Sequence, residues 1–226
     1  MSRHAGLTRT AWGAGGESLQ VLFVHGLGRS PLCGAALLRQ LRQAGCRPSN
    51  FAYLAALESV ERIVARLTRN LQVMARRGDY LLVGHSLGGV LLRLALQRLP
   101  AGTRLPCQLV LIASPVKASR LARWGQKHRL VQLFSSECGA LLASERRMAQ
   151  LGRPPVPTLC VVGTQGMERT RGAFFGQPND GVLALSEVLA PWAQAVWRID
   201  DNHLDLPSNP ELIERLRVWL LEAEAG

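Results

Sequence analysis

The stretch from Tyr80 to Leu92 dictates more about the fold than any other. An apolar run short enough for a buried strand, Tyr80-Leu-Leu-Val, stops at Gly84. His85, Ser86 and Leu87 follow, then Gly88 and Gly89. Beyond them Val90, Leu91, Leu94 and Leu96 share broad apolar faces at helical spacing. The order is strand, sharp turn, helix, with Ser86 at the apex. Such a turn packs strand and helix so tightly that a side chain at the flanking glycines would collide with its neighbours. Gly-x-Ser-x-Gly is common by chance, but between a strand and a helix it lifts the serine hydroxyl clear at the top of a sheet. The plainer alternative is a glycine-rich helix entry with Ser86 as its N-cap.

The rest of the chain alternates in the same way. Residues 1–17 are polar, glycine-rich and aperiodic, and read as a loose arm. Apolar runs at 19–24, 48–54, 80–84, 108–112, 158–162 and 195–199 read as strands. Between them lie helical patterns at 34–44 and 58–77, the latter with Val60, Ile63, Val64, Leu67, Leu71 and Met74 in one stripe and arginines opposite. A helix at 211–221 closes the chain. Alternating strands and helices predict an α/β fold, a mostly parallel sheet covered on both faces. Residues 18–226 then form one domain, interrupted at about 115–155 by a helical insertion read as a cap.

Composition narrows the class. A chain of 226 residues buries a substantial core. No window of about twenty residues is uniformly apolar, so no membrane-spanning helix is expected. No apolar stretch follows Arg3 and His4, so no secretory leader is read. The five cysteines are scattered with no C-x-x-C pair, which predicts reduced thiols of a cytoplasmic protein and no metal site. The formal charge is +11, carried almost wholly by arginine and spread through every predicted helix. A nucleic-acid protein would concentrate such charge and interleave aromatics. The arginines are read instead as solvated faces, with at most a weak peripheral attraction to anionic membrane or an acidic substrate.

In open parallel sheets ligands bind beyond the carboxyl ends of the strands. His25-Gly26, Ser86, Asp180 and His203 all fall at such ends. A serine hydroxyl attacks an acyl carbonyl only with a base beside it, an acid to orient that base and amides to meet the oxyanion. Among the five histidines, His4 lies in the arm, His25 precedes a glycine turn, His85 is adjacent to Ser86, and His128 sits among arginines. His203, after the last strand, is left as the base. The acid stays open between Asp180, in an Asn-Asp-Gly turn, and Asp200 or Asp201, with Asp205 a weaker candidate.

Six motifs in order, Phe-Val-His25-Gly26-Leu27-Gly28, Gly-His-Ser86-Leu-Gly-Gly, Ala-Ser114-Pro115, Val-Val-Gly163-Thr164, Pro-Asn-Asp180-Gly-Val and Asp-Asn-His203-Leu-Asp, give the chain a family resemblance. It resembles the α/β-hydrolases, specifically the bacterial lipase and esterase branch. The resemblance implies Ser86 as nucleophile, Asp180 as acid and His203 as base, with the amides of Leu27 and Leu87 as the oxyanion hole. Secreted members often hold a calcium ion near the base. Asp205 falls where one ligand would be but no matching acid flanks residues 158–164, so neither metal nor cofactor is expected. The missing leader and the small cap mark an intracellular, minimal relative.

The function this predicts is hydrolysis of an acyl ester, a small molecule or lipid, through an acyl-enzyme. Leu130, Leu133, Phe134, Leu141 and Leu142 would line an apolar acyl pocket under the cap, unless they are simply its core. Thioester hydrolysis or transfer to another acceptor would use the same machinery. A hydrolase-like binding protein without turnover is the reading from another class.

Overall fold

The computed structural model describes residues 18–128, 136–166, 174 and 176–224. Six strands form one sheet: β1 (Gln20–Val24), β2 (Arg47–Phe51), β3 (Tyr80–His85), β4 (Gln108–Ile112), β5 (Thr158–Gly163) and β6 (Ala195–Ile199). They run in the order β2-β1-β3-β4-β5-β6, every neighbouring pair parallel. The central strands are apolar without alternation because both faces are buried. Leu22, Val24, Leu82, Leu109 and Leu111 pack on one side, and Val21, Phe23, Leu81, Val83, Val110 and Ile112 on the other.

The first side is covered by α2 (Val60–Arg77) and α3 (Leu87–Gln97), the second by α1 (Ala35–Gln43) and α8 (Pro210–Glu224). The stripe read in α2 is buried throughout. Its start is set by Ser59, whose hydroxyl accepts from the Arg62 amide at 3.2 Å. β2 stops at Phe51, three residues short of the expected strand, because Tyr53 turns inward. Its ring stacks on His25, centroids 4.2 Å apart, and its hydroxyl donates to the His25 carbonyl at 2.7 Å.

The insertion holds α4 (Arg120–His128), α5 (Glu137–Ala143) and α6 (Glu145–Gln150), before the short α7 (Leu185–Val188) that follows β5. The leucine-rich segment is broken at Ser144, whose hydroxyl caps α6 through the Arg147 amide. Ala118, Ala122, Cys138, Leu141, Leu142 and Met148 join the same hydrophobic cluster as α2 and α3. The insertion is therefore packed into the core at its base. None of the five cysteines is in a disulfide. Among the described residues no helix is long and apolar enough to cross a membrane.

The register sets where the site can be. Val24 pairs with Gly84, His85 with Ile112, and Gly163 with Ile199. The carboxyl ends of the strands thus lie level, and the loops after them emerge along one edge. The chain leaves β1 for β2 on one side and returns to β3 on the other, so the sheet switches direction between β1 and β3. A crevice opens at such a switch.

Candidate active site

Ser86 sits at that crevice, between β3 and α3, with φ 52° and ψ −121°. A side chain at positive φ costs roughly 1–3 kcal/mol and persists only where its surroundings enforce it. Here they do. The Ser86 amide donates to the Ile112 carbonyl at 2.9 Å, and the Gly89 amide to the Ser86 carbonyl at 3.1 Å. A methyl group on Gly84 would lie 2.4 Å from the Gly89 Cα, and one on Gly88 2.0 Å from the Val24 carbonyl oxygen. Only bare backbone lets strand, turn and helix approach so closely.

Asp180 and His203, 23 residues apart, are brought together on the loops after β5 and β6. The imidazole Nδ1–H donates to Asp180 Oδ2 at 2.7 Å, and the His203 amide to the Asp180 carbonyl at 2.8 Å. Both side chains are buried. The other carboxylate oxygen accepts from the amides of Val182 at 2.9 Å and Leu183 at 2.7 Å, so the acid is locked in its own turn. With Nδ1 as donor, Nε2 of the neutral ring carries the lone pair. The rival acids are engaged elsewhere. Asp200 accepts from the Thr164 hydroxyl at 3.1 Å, Asp201 from the Asn202 amide at 2.7 Å and the Asn209 side chain at 2.8 Å, and Asp205 from Asn202 Nδ2 at 2.7 Å.

His85 has a part the sequence argument does not give it. Adjacency to Ser86 sets it aside as a base, yet its ring is wholly buried and reaches the His203 loop. Its Nε2–H donates to the His203 carbonyl at 3.0 Å, and the two rings lie 5.0 Å apart. Burial, then repulsion from His203, holds its pKa well below the ordinary 6.5, so it stays neutral. The signal was present: a histidine ending an all-apolar strand must find a hydrogen-bond partner. His25 is likewise kept neutral by burial, against a hydrogen bond from Nδ1 to the Gly26 carbonyl at 2.9 Å.

Leu27 lies in the turn after β1, where the Arg29 amide closes onto the Gly26 carbonyl at 3.3 Å and Gly28 takes φ 68°. A methyl group on Gly26 would touch Ser86 Cβ at 3.0 Å, so this turn lies against the serine. Leu87 is the first residue of α3, where an amide has no acceptor inside its helix. Among the described residues neither amide donates to a backbone carbonyl.

The expected acyl pocket fares differently. Leu130, Leu133 and Phe134 lie outside the described residues. Leu141, 1% exposed, and Leu142 are part of the core cluster. The apolar surface near the site lies elsewhere, in Leu32, Leu54, Leu57 and Leu204, all exposed on loops beyond the carboxyl ends of β1, β2 and β6. Among the described residues no three His, Cys, Asp or Glu side chains converge to hold a metal.

A doubly covered parallel sheet with a strained serine between strand and helix at its switch point is the architecture of the α/β hydrolases. The chain belongs to that family: the model of the alpha/beta hydrolase family matches residues 21–223. No curated protein matches the sequence. Among solved structures, the mature lipase BlEst2 of Bacillus licheniformis is similar with a TM-score of 0.69 at 15% identity, over 91% of this chain and 92% of that one. The RedJ thioesterase of prodiginine biosynthesis in Streptomyces coelicolor gives 0.59 at 17% identity, over 89% and 86%. The phospholipase PlaB of Legionella pneumophila gives 0.58 at 17% identity, over 76% of this chain and 44% of that one. At such identities the likeness is one of fold.

Proposed function

We propose that this hydrolase is a serine carboxylester hydrolase, with Ser86 as nucleophile, His203 as base and Asp180 as the acid that orients it. The observation that carries the reading is the buried 2.7 Å bond between His203 Nδ1 and Asp180 Oδ2, beside a serine held at φ 52°. A carboxylate on Nδ1 keeps the proton there, leaves Nε2 free to take one from the serine, and stabilises the imidazolium that results. Ser86 Oγ adds to the ester carbonyl while Nε2 takes its proton. The oxyanion is met by the amides of Leu27 and Leu87, a donor pair in which each amide is worth about 10²–10³ in rate. The alcohol leaves with the proton from Nε2. Water, deprotonated by the same nitrogen, then releases the acid and restores Ser86. The exposed leucines around the mouth support an apolar acyl group.

The test is hydrolysis of short- and long-chain p-nitrophenyl esters by the wild type and Ser86→Ala, with fluorophosphonate labelling of both. The expected result is a fall of about 10⁶-fold in kcat and loss of labelling in the variant. Wild-type protein that neither turns over an ester nor takes up the label would overturn the reading and leave a binding protein.

A further inference from the structure

A broad groove lies away from Ser86. It runs along the free edge of β2 against α2, with a volume of about 780 Å³. Four guanidinium groups line it, those of Arg47, Arg66, Arg69 and Arg77, and no carboxylate does. Arg66, Arg69 and Arg77 stand at i, i+3 and i+11 on one face of α2, spanning about 16 Å at 1.5 Å per residue. Arg66 is held by Glu58 and by the Ala52 carbonyl at 2.8 Å, over the Phe51 ring. Arg47, Arg69 and Arg77 make no ion pair with a described residue. Arg47 on β2 and Arg69 and Arg77 on α2 are left without such an acid, and like charges gathered about one groove repel one another.

The edge itself is a poor template for a pairing strand. The Arg47 amide donates inward to Leu19 at 2.8 Å, which leaves Pro48 and Asn50 facing outward, and Pro48 has no donor. An anion suits the walls better. Planar guanidinium forks match phosphate oxygens. Three of them without an acid, beside the Glu58-paired Arg66, exceed what one carboxylate or one phosphodiester headgroup can neutralise. The ligand they fit carries two or more phosphates on an elongated frame.

One end of the groove, at Ala52, is joined to the serine through buried side chains. Tyr53 then stacks on His25, and Gly26 lies against Ser86 Cβ. We propose that the groove holds the phosphorylated end of the acyl donor, a thiol carrier with several phosphates and a long arm that delivers its thioester to Ser86. This rests on Ser86 being the acyl-accepting nucleophile. Oγ adds to the thioester carbonyl and His203 takes its proton. The C–S bond breaks, and the sulfur leaves with that proton as a free thiol. Water hydrolyses the acyl-enzyme to the acid and regenerates the hydroxyl.

The experiment compares octanoyl-coenzyme A with octanoyl-N-acetylcysteamine, the same thioester without phosphates, for wild type and Arg69→Gln/Arg77→Gln. KM for the phosphorylated donor is expected to rise about 10- to 100-fold in the variant, with the truncated donor unaffected. Equal effects on both donors, or none, would overturn the proposal. Calorimetric binding of adenosine 3′,5′-bisphosphate to Ser86→Ala reads the groove without chemistry. Arginine-dependent binding with no turnover of either thioester would sustain the groove as a phosphate site and sink the assignment of Ser86. No binding, in a protein whose Ser86 still takes the fluorophosphonate label, would sink the groove alone. Arginine-dependent capture by phosphatidylglycerol vesicles without bisphosphate binding would assign it to a lipid surface instead, against the proposal.

Discussion

His85 shows how much one side chain can do without touching a substrate. Its Nε2–H supports the carbonyl of the residue proposed as base, and its ring fills the floor beneath it. Replacing it by phenylalanine keeps the volume but leaves that buried carbonyl unpaired, a penalty of about 1–3 kcal/mol. His85→Phe is expected to lower kcat for ester hydrolysis about tenfold with KM little changed, because a displaced base damages the transition state more than binding. His85→Gln, which keeps a donor, should recover most of the loss. Steady-state kinetics on both variants check this, and equal loss in the two would show that the hydrogen-bond donor is not what His85 contributes. The choice of Asp180 over Asp200 and Asp201 was hidden in the sequence for a related reason. All three sit in turns rich in Asp, Asn and Gly, whose local hydrogen bonds look alike until the fold shows which carboxylate faces the imidazole.

At the scale of elements, the strands were legible because a parallel sheet buried on both faces leaves uninterrupted apolar runs, and each was found within a few residues. The serine turn was legible because Gly84 and Gly88 have no room for a side chain. The insertion was legible only as helical. What ties it down is Arg93, a buried residue of α3 that looks like one more arginine in a basic chain. Its guanidinium donates to the Pro115 carbonyl at 3.4 Å and the Gly152 carbonyl at 2.7 Å, the two stems of the insertion, and stacks over Trp192 at 5.4 Å. Burial pushes its pKa down to about 10, still charged at neutral pH. Lysine offers one compact head in place of a planar fork whose two nitrogens each reach one carbonyl. Arg93→Lys is expected to cost about 2 kcal/mol in urea unfolding and to hasten proteolytic cleavage within residues 116–151. Unchanged cleavage would mean the core contacts of α4, α5 and α6 hold the insertion unaided.

For the whole molecule, the two neutral histidines set a direction for acid sensitivity. His25 and His85 both have folded pKa values below the ordinary 6.5. In the unfolded chain they take up protons as the pH falls through about 6.5, while in the fold they do not, so the unfolded state binds more protons and stability drops. Nothing is lost above that value. Below it each contributes up to about 1.4 kcal/mol per pH unit, until its folded pKa is reached. Thermal unfolding from pH 7.5 to 5 is expected to show Tm falling, with a shallower slope in His85→Gln; an unchanged slope would place the titrating group elsewhere. The net charge misleads at this scale. Arginines that read as a solvated face of α2 converge, once β2 is laid beside it, on a single groove.

The bond from His85 to the His203 carbonyl has one more consequence. It joins the floor of the first half of the sheet to a loop from the second, and the Asp180 carbonyl holds that loop from the other side. Aligning these groups is part of reaching the native state and is complete before any ligand arrives. Recognition is then left to what surrounds the site, such as the exposed leucines on the loops beyond the strand ends. Chemistry and selectivity are thereby separable: loops can diverge to accept new donors while the machinery beneath them stays as it folded.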